Sequence, residues 1–165
     1  IAAIYEGTNG IQAIDLVTRK LPLGDGAVVG EAIARMRETV VEVASRNAPG
    51  FGHAASRLRD AVDSLERATA WMLAALKEGR AAEALAGATA YLKLFGLAQG
   101  GTALARKALA AQASLDEAGD DRSHAARVVT ARFFAEHLAT DAPGLERAIV
   151  EGAGSLDDAT PLFAA

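Results

Sequence analysis

Tyr5-Glu6-Gly7-Thr8-Asn9-Gly10-Ile11-Gln12 is the segment whose residue types and spacing could do chemistry. Its one carboxylate, Glu6, sits beside an aromatic ring and the apolar residues Ile1 and Ile4. Such surroundings desolvate a carboxylate and raise its pKa toward the range where it abstracts a proton at neutral pH. Gly7 lets a ligand come close to the backbone. Thr8 or Asn9 is placed to cap a helix opening at Ile11, with Glu6 in the glycine-rich loop before it. The first N–H groups of that helix would then face whatever lies in front of the loop. On these grounds the segment is either an anion or carbonyl site with an adjacent base, or an ordinary helix start with a solvated first-turn acid.

The other chemistry-bearing residues make weaker constellations. His53, His124 and His137 are far apart in sequence, and none shows the one-face spacing of a zinc pair. His124 stands near a predicted helix start and His137 near a helix end, which favours capping and hydrogen bonding. His124 with Arg127 is the best match to a phosphotransfer histidine, but such a histidine belongs in mid-helix. Glu136 adjoins His137, unlike the Glu-x-x-His spacing of a diiron bundle. Trp71 reads as a core or interface anchor. With no Cys and no Gly-x-Ser-x-Gly, covalent acyl transfer has no candidate nucleophile.

The elements that must position these residues are helical throughout. A first helix is predicted over about Ile11–Lys20, stopped by Leu21-Pro22 and the glycines that follow. A second covers about Ala27–Asn47, with Val29, Ile33, Met36, Val40 and Val43 on one stripe and Glu31, Arg35, Glu38, Glu42 and Arg46 opposite. A third, about His53–Lys77, turns Leu58, Val62, Leu65, Met72 and Leu76 inward and ends at Gly79. The fourth, from about Ala81 toward Leu115, is apolar on more than one face and is expected at the centre. Its Gly96, Gly100 and Gly101 imply close helix approach or a kink, since no strand or phosphate-loop Lys accompanies them. Asp116 to Asp121 reads as a surface loop. A fifth helix, about Ser123–Thr140, is expected to turn Ala126, Val129, Phe133 and Phe134 inward. Asp141-Ala142-Pro143-Gly144 then opens a short helix through Val150, with Leu156 and Leu162 pinning the tail. The fold class is therefore all-α: an up-and-down bundle of about four long helices, with a short helix at each end.

Composition agrees. The chain of 165 residues is 51% hydrophobic, carried mainly by Ala and Leu, with 5% aromatic residues and no Cys, which describes one helical domain without disulfides or thiol-bound zinc. Seventeen basic against 21 acidic residues give a net charge of −4 with no long basic block, so nothing attracts nucleic acid or an anionic membrane. No apolar run approaches the roughly 20 residues of a membrane span, and a cytoplasmic protein is expected. The apolar start at Ile1, without Met, reads as part of a longer protein.

Taken together, Ile4-Tyr5-Glu6-Gly7-Thr8-Asn9-Gly10-Ile11-Gln12 and the amphipathic run to Arg19-Lys20-Leu21-Pro22 resemble the end of the catalytic domain in FAD-dependent acyl-CoA dehydrogenases. The remainder, roughly Val28 to Phe163, is similar to the extra C-terminal helical domain of the longer members, the 3-methylmercaptopropionyl-CoA dehydrogenase type. Tyr91-Leu92-Lys93-Leu94-Phe95-Gly96 and Ala131-Arg132-Phe133-Phe134-Ala135-Glu136-His137-Leu138 carry that likeness. The resemblance implies residues 1–21 as the end of a catalytic domain, 22–27 as a linker and 28–165 as a helical bundle. It implies that Glu6 is the catalytic base taking the α-proton of an acyl-CoA while the β-hydride goes to the flavin, giving the 2,3-enoyl-CoA. It implies Gly7 next to the substrate thioester, where a backbone N–H polarises the carbonyl, and Thr8, Asn9 and Gly10 at FAD. Many members carry a larger polar side chain, often Gln, at the position of Gly10, so only backbone contact is implied there. The implied partners are acyl-CoA, an electron-transfer acceptor and further copies in a homo-oligomer. Alone, the chain is expected neither to hold FAD nor to turn over substrate. A helical interaction or regulatory module without catalysis is the other reading of the same bundle.

Overall fold

The computed structural model describes residues 2–46, 48–119 and 121–155. The helices are α1 (Ala2–Asp15), α2 (Ala27–Arg46), α3 (Ala54–Lys77), α4 (Ala81–Ala86), α5 (Ala88–Ala118), α6 (Arg122–Phe133) and α7 (Ala142–Glu151). No strand occurs among the described residues, and no helix there is long and apolar enough to cross a membrane.

The α2 stripe forms as its spacing requires: Val29, Ile33, Met36, Val40 and Val43 are all buried, each contributing about 1.5–3 kcal/mol by leaving water. It meets α3 in antiparallel register, with Gly26 against Leu73 at one end and Arg37 ion-paired to Asp63 (2.7 Å) and Glu66 further along. On α3, Leu58, Val62, Leu65 and Met72 are buried and Leu76 is half-buried. The α2–α3 connection is a 3₁₀ turn at Pro49–Phe51, followed by Gly52 at φ +50°, a conformation that favours glycine. A Cβ at Gly52 would also collide with Arg132 and Glu136.

At the centre lies α5, packed against α1, α2, α3, α6 and α7. Its inner line of Tyr91, Leu94, Ala98, Thr102, Ala105, Ala108 and Ala111 is buried. The Tyr91 hydroxyl shares a 2.7 Å hydrogen bond with the Thr69 hydroxyl, and burial pushes its pKa up to about 12. Thr102 satisfies its buried hydroxyl by donating to the Ala98 carbonyl at 2.8 Å.

The fourth member of the bundle is a broken helix. It runs down α5 as α6, passes through a π-helical turn (Phe134–Leu138) and a 3₁₀ turn (Ala139–Asp141), and continues as α7. Its buried residues are Val128, Ala131, Ala135, Ala139, Ala142 and Ile149. Phe134 reaches over Gly100 and Gly101, Lys93 pairs with Asp141 (3.0 Å), and Gly87 lies against Ile149. Further polar contacts tie the helices together. Arg67 Nε donates to Glu146 (2.6 Å), Arg46 binds Asp116, and Glu136 holds both Arg132 (3.0 Å) and the His53 backbone N–H (2.9 Å).

Four expectations need correction. The fifth helix is rotated from its predicted face: Val129 is 64% and Phe133 56% exposed, and Ala126 is exposed too. Small side chains fill the seam instead, because the backbone of α6 comes too near α5 for bulky ones. The fourth segment is split at Gly87 into α4 and α5, and a Cβ at Gly87 would lie 3.0 Å from the Met72 methyl. Asp116 and Glu117 complete the last turn of α5 rather than standing in a loop. The first helix starts at Ala2, not Ile11, and its last turn, Leu16–Lys20, is π-helical. Leu156 and Leu162 lie outside the described residues.

Two glycines of α5 should respond oppositely to the same substitution. At Gly101 an added Cβ would stand 2.5 Å from Leu58 Cδ2 and 3.3 Å from the Phe134 ring, whereas nothing lies within 4 Å at Gly96. Overpacking costs about 1–3 kcal/mol and the helix-propensity gain of Ala over Gly is about 1 kcal/mol. Chemical denaturation should therefore find Gly101→Ala less stable than the parent and Gly96→Ala more stable by up to about 1 kcal/mol.

Acid should weaken the fold through specific carboxylates. The Arg67 guanidinium holds Glu146 below the usual range, and the His53 backbone N–H does the same for Glu136. Backbone N–H groups of Ser123 and His124 lower Asp121, and Arg19, with Lys20, takes Asp15 down to about 2. Each favours the folded state above its unfolded value, near 4, and loses that contribution as pH falls through the lower folded value. The melting temperature should be level above about pH 5 and fall between about pH 4 and pH 2. Glu146→Gln should shrink that fall.

Candidate functional site

The Glu6 segment is held by its continuation into the bundle. Downstream, Ala13, Val17 and Leu21 are buried, spaced four apart on one line, and they fix α1 and its π-turn on α5. Asp15 braces the π-turn by accepting from Arg19 Nε at 2.6 Å and pairing with Lys20 Nζ at 2.9 Å.

Glu6, Gly7, Thr8, Asn9 and Gly10 all lie within the α-helix Ala2–Asp15. The predicted glycine-rich loop and the cap at Thr8 or Asn9 are therefore not what forms. Ala2, Ala3 and Ile4 extend the helix upstream, so the N–H groups at Ile11 lie within a helix rather than at its open end. The segment presents no helix terminus to a ligand. Thr8 and Asn9 are exposed and Gly10 is half-buried. Nothing lies within 4 Å of a Cβ built on Gly10, so its backbone is open on that side. The side chain of Glu6 lies outside the described residues, as does any contact at Gly7. Beyond them Ile11 is 66% and Ile14 48% exposed, which gives this end of the molecule an uncovered apolar surface beside polar Thr8, Asn9 and Gln12.

An open groove of about 730 Å³ lies where the π-turn and the Pro22–Gly26 turn meet the end of α3. Its floor is Pro22, Leu73 and Leu76, and Thr18, Asp25 and Lys77 stand around it. Asp25 is a non-glycine residue at φ +54°, where its short polar side chain is tolerated. The groove offers apolar contact and charge, but no arrangement of nucleophile and base.

The histidines remain apart. His53 contributes only its backbone N–H to Glu136, His124 Nδ1 stands 3.8 Å from Asp121, and the His137 ring stacks on Phe133 with centroids 4.5 Å apart. No group of three His, Asp or Glu side chains converges as a metal site among the described residues. Trp71 is half-buried against the core with the Arg80 guanidinium 5.7 Å from its ring centre, an anchoring role as expected.

A second concavity, between α5 and the start of α6, is lined by Lys107, Ala110, Ala111, Ser114, His124 and Arg127. Sequence reasoning noted His124 and Arg127 but not Lys107 or Ser114. The available signal was the run Lys107, Ala110, Ala111, Ser114, whose spacing places two alanines between two polar groups on one helix face.

Comparison with known proteins follows the fold rather than the Glu6 segment alone. The acetyl-CoA dehydrogenase C-terminal-like family matches residues 32–159, beginning downstream of Glu6–Gly10. The chain is 31% identical over 156 residues to a 3-methylmercaptopropionyl-CoA dehydrogenase of Ruegeria pomeroyi. That alignment covers 94% of this chain and 26% of the relative, so the chain spans about a quarter of the relative's length. With the match running over well over half of an all-α chain, the chain belongs to the acetyl-CoA dehydrogenase C-terminal-like family.

Proposed function

We propose that this chain is the C-terminal part of an FAD-dependent acyl-CoA dehydrogenase, an oxidoreductase that converts an acyl-CoA to the 2,3-enoyl-CoA. The observation that carries the reading is the 31% identity to 3-methylmercaptopropionyl-CoA dehydrogenase across 94% of the chain. The Tyr5-Glu6-Gly7-Thr8 wording stands beside it. In this reading residues 1–21 end the catalytic domain, 22–27 link and 28–165 form the bundle. The left-handed turn at Gly24 and Asp25, between the π-turn and α2, supports a boundary there. Glu6 is the base: its carboxylate takes the α-proton, the electron pair of that C–H bond forms the C2=C3 double bond, and the β-hydrogen leaves as hydride. FAD, when bound, supplies the acceptor for that hydride. Beside Gly7, the backbone N–H of Glu6 itself polarises the thioester carbonyl and so acidifies the α-carbon. Thr8, Asn9 and Gly10 contact FAD; the exposed hydroxyl and amide and the open backbone at Gly10 fit a contact of that kind, though they form no enclosing cradle.

Most of the flavin and acyl pocket then lies upstream, and the chain alone neither retains FAD nor turns over substrate. The bundle is chiefly structural. Its uncovered apolar residues on α6, Val129 and Phe133 with Leu138 beyond, favour a role in assembly, including a homo-oligomer. The whole protein works in the cytoplasm and passes its electrons to a separate acceptor.

The test is Glu6→Gln in the full-length protein. The substitution keeps size and much of the hydrogen bonding but removes the base. Anaerobic single-turnover bleaching of the flavin by an acyl-CoA should slow by about 10² to 10⁴, the usual worth of general-base catalysis, with acyl-CoA affinity nearly unchanged. Normal bleaching at matched FAD occupancy would assign the base elsewhere.

A further inference from the structure

Basic side chains on this molecule are mostly matched. Arg19, Lys20, Arg35, Arg37, Arg46, Arg57, Arg67, Arg80, Lys93 and Arg132 each stand within ion-pair distance of a carboxylate. Arg59, Lys77, Arg106, Lys107, Arg122, Arg127 and Arg147 have no ion pair among the described residues, and of these Lys107 and Arg127 line one cleft of about 410 Å³ from opposite helices. Ala110 and Ala111 form its floor, and Ser114 and His124 complete the lining. Among the described residues no carboxylate lines the cleft.

Asp121, at the turn into α6, is already engaged, chiefly by the α6 backbone and also by the charge of Arg127. Asp121 accepts from the backbone N–H groups of Ser123 at 2.7 Å and His124 at 3.4 Å, as the cap of α6. Its other oxygen lies 3.8 Å from His124 Nδ1, which leaves Nε2 of that ring free of the contact. The Ser114 hydroxyl donates to the Ala110 carbonyl at 3.2 Å, so its lone pairs remain to accept. In a protein of net charge −4, two unpaired cations, an imidazole and a hydroxyl around a small apolar floor have one obvious complement. An anion with several oxygens can satisfy Lys107 and Arg127 together. A flat or apolar body attached to it can lie on the two alanines, in a volume within the usual range of small-molecule sites.

We propose that the α5–α6 cleft binds the phosphate of a small phosphorylated compound, with Lys107 and Arg127 as the charge-bearing contacts and His124 and Ser114 beside them. The site lies on the bundle and does not depend on Glu6 or on the dehydrogenase reading.

The test is titration of the ¹⁵N-labelled chain with pyrophosphate and, separately, with ADP. Saturable amide shifts are expected at Lys107, Ala110, Ser114, His124 and Arg127. Affinity should drop about tenfold in Lys107→Gln and again in Arg127→Gln, and should fall as salt is raised. Both side chains are exposed, so melting should be unaffected. Lys77→Gln, a substitution in the separate Leu73–Leu76 groove, should leave affinity unchanged. Tighter binding of ADP assigns an organic phosphate whose body covers the alanines; equal binding assigns the free inorganic anion. Shifts that do not saturate, binding that survives the double Lys107→Gln, Arg127→Gln variant, or an equal loss in Lys77→Gln would overturn the proposal.

Discussion

The close seam between α5 and the helices around it is the constraint on which the rest of the structure depends. Its contact residues are small: Ala98, Gly101, Ala105, Ala108 and Ala111 on α5, and Ala131, Ala135, Ala139 and Ala142 on the facing broken helix. Small residues give little hydrophobic stabilisation each, but they bring backbones near and multiply dispersion contacts along the length of both helices. Larger residues sit at chosen points along the interior. Tyr91, Leu58, Leu65 and Met72 fill the wider part of the core, and Phe134 covers the two glycines where α5 has no side chain of its own.

That seam explains where large residues end up outside. Because α6 approaches α5 through alanines, its Phe133 and Val129 have no room inward and stand in solvent, with the His137 ring stacked on Phe133. Across the π-turn at Phe134–Leu138 and the 3₁₀ turn after it, Ala139, Ala142 and Ile149 continue the buried line of Val128, Ala131 and Ala135. The ion pairs then join what packing has placed. Most are exposed and worth little singly, but Arg67–Glu146 and the Arg132–Glu136–His53 cluster cross between elements distant in sequence and fix their relative slide.

Where hydrophobic size and helical period coincide, as on α2 and α3, the sequence was legible to the residue: every stripe position expected inward on α2 is buried, and the stops at Pro49-Gly50 and Gly79 hold. Where close approach selects alanine, the rule that bulky residues point inward fails, and the face of α6 was read wrongly. The split at Gly87 is not legible either: the residues that leave no room for a side chain there, Met72 on α3 and Ile149 on α7, are remote in sequence. At the Glu6 segment, glycine and cap residues looked like a loop, but helix-forming neighbours upstream carry the α conformation through them. The α5–α6 cleft was half legible: His124 and Arg127 stand out by type, whereas Lys107 and Ser114 gain meaning only once α6 folds back beside them.

The π-turn at Leu16–Lys20 has a geometric consequence for everything before it. A π-turn is in effect an α-helix holding one additional residue, and each residue in an α-helix advances the azimuth by about 100°. With Ala13 before this turn, Val17 within it and Leu21 after it all sunk in the bundle, the length of the turn sets the heading of Thr8, Asn9 and Gly10 around the helix axis. One residue more or fewer between Leu16 and Lys20 would swing that entire leading edge by more than a quarter of a circle and carry Ala13 out of the core with it.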